Sequence, residues 1–413
     1  MNDSLAVRIR KSRLEEVLFL LLFFAWFTLD FVFNLNVEDY SWATATEYRA
    51  WFRPIKYLIA LYIFLFRKYS LRDWFIIACV GAFLYYNAKR STVLYNYYTF
   101  YYDLFYAWLF IAAAKREDID RVLKLTAILS LVYLAAAVIF PFTGAVPNMV
   151  DVREGKLDRY AFSFTHPNQL GFRFFIMMAC FIWWQRNSWN RRHVILCTVA
   201  LIIFQLVVGS KTATLGMLLL ILAVSLQIPF GRLDEEKRRI VLIGIAVGTT
   251  ALNISLLIMG VFFKDTGVMH LANEFLTGRL GLAHQAFEEF GISWLGQKVQ
   301  LLRPERIIAG IGPSVIAVDS AYAHLLVRQG IAVTVLALFG FFWIHLKAAR
   351  RGCFLETVFL SVIALYGSSE QMFYWAMGNV FLIMMTDLFP NNDRDDTVIG
   401  HVLRLIKSML IKK

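Results

Sequence analysis

Predominantly apolar stretches near the length needed to cross a bilayer, about 20 residues, recur from one end of this 413-residue chain to the other. In hydrocarbon every backbone N–H and C=O must find its partner inside the protein, so only helices and closed barrels can span it. The ten-residue alternating segments of an outer-membrane barrel are absent from the sequence, which leaves helices. Composition agrees: 59% of residues are hydrophobic and 17% charged, against about 25% charged in an ordinary soluble domain. No block is long and polar enough to form a separate soluble unit. The expected fold class is therefore all-α, a single polytopic membrane domain over 1–413.

Hydropathy predicts about 12 spans, at 17–35, 47–66, 74–88, 93–114, 122–142, 169–185, 194–208, 212–230, 240–263, 320–346, 354–366 and 372–389. Lys and Arg fall in alternate short loops: Arg67, Lys68 and Arg72; Lys115, Arg116, Arg121 and Lys124; Arg186, Arg191 and Arg192; Arg232 and Lys237 to Arg239; Lys347, Arg350 and Arg351. By the positive-inside rule these loops and both termini are cytoplasmic. This accounts for the net charge of +12 without a nucleic-acid partner. The basic tail 390–413 is predicted to lie as an amphipathic segment on the inner leaflet. The first apolar run follows a basic stretch and lacks a small-residue cleavage site, so no cleavable signal is expected. The four cysteines show no metal or redox spacing and read as small lipid- or core-facing residues. No cofactor or metal motif occurs. The outer side carries two extended segments, 143–168 and 264–319. The second is the longest polar stretch and is predicted to hold short helices.

The residues that suggest chemistry cluster on that outer side. Arg159, then His166-Pro167-Asn168, precede a span; a polar cap with Pro suits a helix N-terminus, where free N–H groups favour an anion. Arg173 lies just inside that span, where a charge faces a protein interior or watery cavity, or snorkels. Gly209-Ser210-Lys211-Thr212 forms a tight turn whose Lys211 could pair with phosphate or snorkel. Arg279, after Gly278 in the long loop, is suited to bind a phosphate bidentately. Ser320, His324 and Arg328 occur at i, i+4 and i+8, with Asp319 before them and Tyr322 among them. The stripe would run about 12 Å inward, lining a polar cavity or making interhelical hydrogen bonds. His324 has the pKa of a general base. Glu370 is a lone carboxylate in an outer hairpin. Asp30 and Asp103 are further cavity candidates. Tyr95, Tyr97, Tyr98, Tyr101, Tyr102 and Tyr106 suit an interfacial belt or sugar stacking.

An HPN-type loop opening a span, a GSK-T turn, an LTGR loop motif and an S-x-Y-x-x-L-L-x-x-x-G span start occur in that order. Over roughly 164–379 this resembles the O-antigen ligase and O-antigen or capsular polysaccharide polymerase family, with about a dozen spans and one large late extracytoplasmic loop. The resemblance implies that Lys211 and Arg279 hold the diphosphate of a polyprenyl-linked glycan. Ligases usually carry Arg in the turn and His-Asn at the loop-to-span junction. Lys211 and Asp319-Ser320 depart from that, and the Asp-Ser form looks more like the polymerases. The expected function is a bacterial cell-membrane glycosyltransferase that joins undecaprenyl-diphosphate-linked oligosaccharide units, with a chain-length regulator as a candidate partner. Lys211, Arg279, Arg173 and Arg328 would converge as clamps in one outward-facing hollow. His324, Asp319 or Glu370 would be the base, and His166, Asn168, Arg159, Ser320 and Tyr322 would line the pocket. The alternatives are a ligase-type transferase and a non-enzymatic transporter; the sequence shows neither repeated halves nor paired Gly- or Pro-broken spans.

Overall fold

The computed structural model describes residues 2–33, 35, 45–91, 102–144, 146–152, 157–164, 166–299, 318–375 and 377–389. The chain is mainly helical. The first helices are α1 (Asn2–Phe33), α2 (Ala45–Phe66), α3 (Leu71–Ser91), α4 (Asp103–Ala113) and α5 (Asp118–Ile139). They are followed by α6 (Pro167–Gln185), α7 (Arg191–Val208), α8 (Lys211–Gly231) and α9 (Glu235–Val261). Two short helices, α10 (Gly267–Phe275) and α11 (Arg279–Phe290), occupy the long loop as predicted, and α12 (Ala321–Arg350) and α13 (Phe354–Gly367) complete the set. Five helical stretches among the described residues are long and apolar enough to cross a membrane: 118–143, 191–208, 211–231, 235–261 and 321–350. That is the character of a multi-pass membrane protein.

Three features depart from the all-helical, twelve-span expectation. The first segment expected on the outer side folds into an antiparallel hairpin, β1 (Met149–Asp151) with β2 (Arg159–Phe162). The stretch expected to be the last span forms 3-10 helices at Gln371–Tyr374 and Val380–Leu388 instead of an α-helix. Residues 380–387 are all buried, so irregular backbone is tolerated because protein surrounds it. The span expected at 320–346 is broken at Gly330, whose φ of 81° and ψ of 177° are not helical. An L side chain is strained at that φ, and a Cβ there would also meet the backbone of Gly296 and Ser293. The amides freed by the break are used. Ile331 N donates to Ser293 O (2.9 Å) and Ala332 N to Trp294 O (3.2 Å), while Arg328 O accepts from Gln297 N (2.9 Å). Asn87 Nδ2 and Ser91 Oγ on α3 donate to Gln329 O and Arg328 O. The break is thus a joint between the long loop and α12 held by backbone hydrogen bonds. The tail 390–413, Arg153 to Lys156 and residues 300–317 of the long loop lie outside the described residues.

Basic residues from several of the short loops meet in the packing. At one end of the bundle Lys115 pairs with Glu15 (2.9 Å), Arg67 with Asp118 (3.6 Å) and Arg186 with Asp120 (2.9 Å). Arg116 and Arg351 share Glu356 and Asp387 in a closed quartet. At the other end lie the starts of α6, α8, α11 and α12. From the inner turns, α6 and α8 extend 19 and 21 residues, about 28 and 31 Å, which is one hydrocarbon thickness.

Candidate functional site

Arg279 is the hub of that end. Its placement follows from Gly278, which caps α11 in the left-handed region (φ 86°) and leaves Arg279 as the first helical residue. The Arg279 guanidinium donates from Nη2 to Glu370 Oε1 at 2.9 Å and from Nη1 to Thr277 Oγ1 at 3.3 Å and Thr212 Oγ1 at 3.5 Å. Its Nε lies 3.5 Å from Asp319 Oδ2, close enough for charge attraction, yet it makes no hydrogen bond although buried. One side chain therefore joins the GSK-T turn, the LTGR loop, the Asp319-Ser320 junction and the 367–371 hairpin, four segments far apart in sequence.

A second guanidinium borders this group. Arg159, on β2, donates from Nε to Val208 O at 2.9 Å and from Nη2 to Asn168 Oδ1 at 2.7 Å, and Nη1 lies 3.5 Å from Asp151. It ties the C-terminus of α7 to the N-terminus of α6 and acts electrostatically on Glu370. The α6 start is capped by His166 Nδ1, which accepts from Asn168 N at 3.1 Å. The α7–α8 turn is formed by Gly209 in the left-handed region (φ 61°) followed by Ser210. Lys211 is thus the first residue of α8; it is exposed, with no ion pair among the described residues. Ser320 caps α12 by accepting from Ala323 N at 3.4 Å. Four helix N-termini therefore meet near Arg279, and their dipoles add positive potential to that of three cations. Asp151, Asp319 and Glu370 oppose them. Burial drives the Glu370 carboxyl up to about 8, a rise that Arg279 and then Arg159 hold back and Asp319 reinforces.

The hollow expected at this point is closed. Beside Arg279, Ser320, Ser368 and Tyr322 the structure has a void of about 10 Å³, the size of a single water. The carboxylates of Glu370 and Asp319 hold the guanidinium where an external anion would sit.

Two of the four predicted clamps lie elsewhere. Arg173 pairs with Asp30 (2.6 Å) in the interior, donates to Met377 O (3.2 Å) and stacks on Trp375, 4.7 Å from the ring centre. Asp30 also accepts from Trp375 Nε1 at 2.8 Å. This buried pair cross-links α1, α6 and the segment around Trp375, and the guanidinium is satisfied within the fold. Arg328 points into a different buried group, within electrostatic reach of Asp103, His324 and Tyr374. His324 Nδ1 is hydrogen-bonded to the Tyr374 hydroxyl, and its Nε2 is buried without a partner. The stripe of Ser320, His324 and Arg328 therefore divides: Ser320 borders the Arg279 group, while His324 and Arg328 turn toward α4. Asp103 keeps Oδ2 buried without a hydrogen bond and lies within reach of Lys56 on α2. Tyr322 is structural; its hydroxyl donates to Ala364 O at 2.9 Å and accepts from Asn253 Nδ2 at 3.3 Å. Tyr374, Lys56 and Asn253 carried no motif that would have singled them out. Of the tyrosine run, Tyr102 and Tyr106 pack together, and Tyr106 lies under Lys56 Nζ (3.5 Å); Tyr95, Tyr97, Tyr98 and Tyr101 lie outside the described residues.

No family model matches the chain, and searches of the curated proteins and of the solved structures give no match.

Proposed function

We propose that this protein is a multi-pass glycosyltransferase with about 12 spans and cytoplasmic termini. In this reading it joins oligosaccharide units carried on undecaprenyl diphosphate at the outer face of a bacterial cell membrane. The observation that carries the reading is the meeting of Arg279, Arg159 and the Lys211 turn at four helix N-termini, one bilayer thickness from the opposite basic loops. A diphosphate at a membrane surface calls for that concentration of positive charge. Arg279 and Lys211 take the diphosphate, with Arg159 and the α6, α8 and α11 amides behind them. Asp319 and Glu370 must release Arg279 as the anion enters. Glu370, whose carboxyl burial keeps mostly protonated at neutral pH, acts as the general base from its ionised fraction, which grows as pH rises. It takes the proton of the acceptor hydroxyl as the acceptor oxygen bonds to the anomeric carbon. The bond from that carbon to the phosphate oxygen breaks, and the lipid diphosphate leaves with the electron pair, stabilised by the cations. Glu370 replaces His324 as the favoured base, because His324 is engaged with Tyr374 away from Arg279.

The test is genetic and chemical. Removing the gene should leave surface glycan as single repeat units on a gel, and Arg279→Ala should do the same with the protein still in the membrane. A normal length ladder in either strain overturns the proposal. The bonded break at Gly330 favours a second reading, a transporter with no chemistry, since broken spans mark transport sites. Purified protein in vesicles holding lipid-linked oligosaccharide on both leaflets separates the two: elongation without translocation supports the enzyme, and translocation without elongation supports the transporter.

A further inference from the structure

A second feature lies in the opposite half of the bundle. Between α3, α4, the second half of α12 and the 380–388 segment runs a cavity of about 440 Å³, within the range of small-molecule sites. Along α3 it extends from Arg72 to Leu84, 12 residues or about 18 Å, roughly the depth of one leaflet. Its walls are apolar, with Trp108, Ala337, Phe341 and Met385 among them, and among the described residues Arg72 is the only charged one lining it. Phe339 and Trp343, which line its open side, and Phe75 beside it on α3 are exposed, as lipid-facing residues are.

The two ends of the slot differ. Arg72 marks the end where Arg67 and Tyr69 bond to the α4 C-terminus, the end that holds the Arg116–Asp387 quartet. Arg72 is exposed, and the neighbouring Asp73 is engaged by the Ser70 hydroxyl at 2.7 Å. At the other end the slot is stopped by Tyr322 and Phe373, whose rings lie 5.4 Å apart. Tyr322 is pinned there by its bonds to Ala364 and Asn253. Tyr322 borders both this slot and the void at Arg279, so it forms the partition between them. A lipid tail in the slot therefore does not belong to an anion held by Arg279.

We propose that the slot holds one acyl chain of an anionic glycerophospholipid, whose phosphate pairs with Arg72 at the basic end of the bundle. A hydrocarbon chain matches the apolar walls and their length, and a single cation at the mouth selects a negatively charged headgroup over a zwitterionic one. The bound chain fills a void between α3 and α12 that would otherwise forfeit packing, and so braces α3, whose Asn87 and Ser91 hold the Gly330 joint.

The test uses the full chain in vesicles of phosphatidylcholine doped with either phosphatidylglycerol or phosphatidylcholine bearing a mid-chain diazirine. After irradiation, labelled peptides are mapped by mass spectrometry. Label on the α3, α4 and α12 peptides that line the slot should be several-fold higher with the phosphatidylglycerol probe, and Arg72→Ala should remove that preference. Ala337→Trp, which fills the slot, should abolish slot labelling while the exposed α7 side chains Ile195, Leu196 and Ile202 stay labelled. That internal control reports a protein still inserted and folded. Equal slot labelling by both probes, or slot labelling that survives Ala337→Trp, overturns the proposal. So does recovery of a polyprenyl lipid instead of a phospholipid from the purified protein by native mass spectrometry. None of these outcomes depends on whether Arg279 binds a diphosphate.

Discussion

Replacing Glu370 with Gln should remove a pH dependence that the wild-type site has built in. Glu370 lies in the hairpin after α13, and burial raises its carboxyl from an ordinary 4.5 to about 8 against the pull of Arg279. An entering anion competes with the charged form of Glu370 for the Arg279 guanidinium, and it meets less resistance when that carboxyl is protonated. With a midpoint near 8, about 90% of the sites are protonated at pH 7 and about 10% at pH 9. Apparent affinity scales with the competent fraction, so wild-type affinity should fall roughly tenfold over that interval. A disubstituted diphosphate is the right probe for calorimetry, because its own ionisations are complete well below neutrality. Glu370→Gln keeps the shape and one acceptor, cannot ionise, and should bind as tightly at pH 9 as at pH 7. The same group has a signature in stability. Its folded-state pKa is raised, so between about 4.5 and 8 the folded chain keeps a proton that the unfolded chain releases, and stability falls as pH rises through that window. At about 1.4 kcal/mol per pH unit the loss is on the order of 5 kcal/mol, and Glu370→Gln should flatten it. A tenfold loss of affinity persisting in the Gln variant, or wild-type affinity that rises with pH, would refute the reasoning.

Arg279→Lys should retain weak diphosphate binding and Arg279→Ala none, because an ammonium cannot reproduce the forked contacts to Glu370 and Thr212; binding isotherms at fixed salt decide this. Arg173→Met leaves Asp30 charged and buried and should destabilise the protein by about 3–5 kcal/mol, whereas Arg173→Met with Asp30→Leu should recover most of that; thermal unfolding in detergent measures both, and a silent single variant would remove the structural role given to the pair. Gly330→Ala forces a side chain into a left-handed backbone and against the Gly296 amide, so a loss of at least about 1–3 kcal/mol is expected by the same assay, with no loss if the joint relaxes.

What the sequence made legible was one-dimensional. Apolar runs and alternating basic loops are read along the chain, and the loops that were grouped by charge do pair with one another: Arg67 with Asp118, Arg186 with Asp120, Arg116 and Arg351 with Glu356 and Asp387. The cap at His166 was legible for the same reason, since a cap acts within three residues of itself; Ser320, read as the first member of a helical stripe, caps α12 instead. The destinations of Arg173 and Arg328 were not. Both are cations near a span end, and each was assigned to the outer hollow because a buried charge needs a partner. Where each goes depends on residues more than a hundred positions away, the Asp30 carboxylate for Arg173 and the field of Asp103 for Arg328, and no periodicity records that. The 3-10 backbone of 380–388 was hidden because a buried apolar run reads alike whether or not it is α-helical.

The break in α12 shows how much of the Arg279 end follows from one local conflict. An unbroken helix through Gly330 would need no partners, and nothing would then hold residues 293–297 against it. With the break, the amides of Ile331 and Ala332 and the carbonyl of Arg328 must be satisfied from outside the helix, because an orphaned buried backbone group costs about as much as a lost hydrogen bond. The long loop supplies Ser293, Trp294 and Gln297, and α3 supplies Asn87 and Ser91. That docking fixes the loop just after α11, and so limits how far Arg279, at the other end of α11, can move from Glu370. Loosening the joint should therefore weaken the Arg279 site from a distance. Ser91→Ala removes one donor to Arg328 O without touching any residue of the site. If the joint is the brace, it should lower diphosphate affinity by a few-fold and leave the pH dependence set by Glu370 unchanged; if affinity is unaltered, α11 is held by its own packing on α9 and α12 instead.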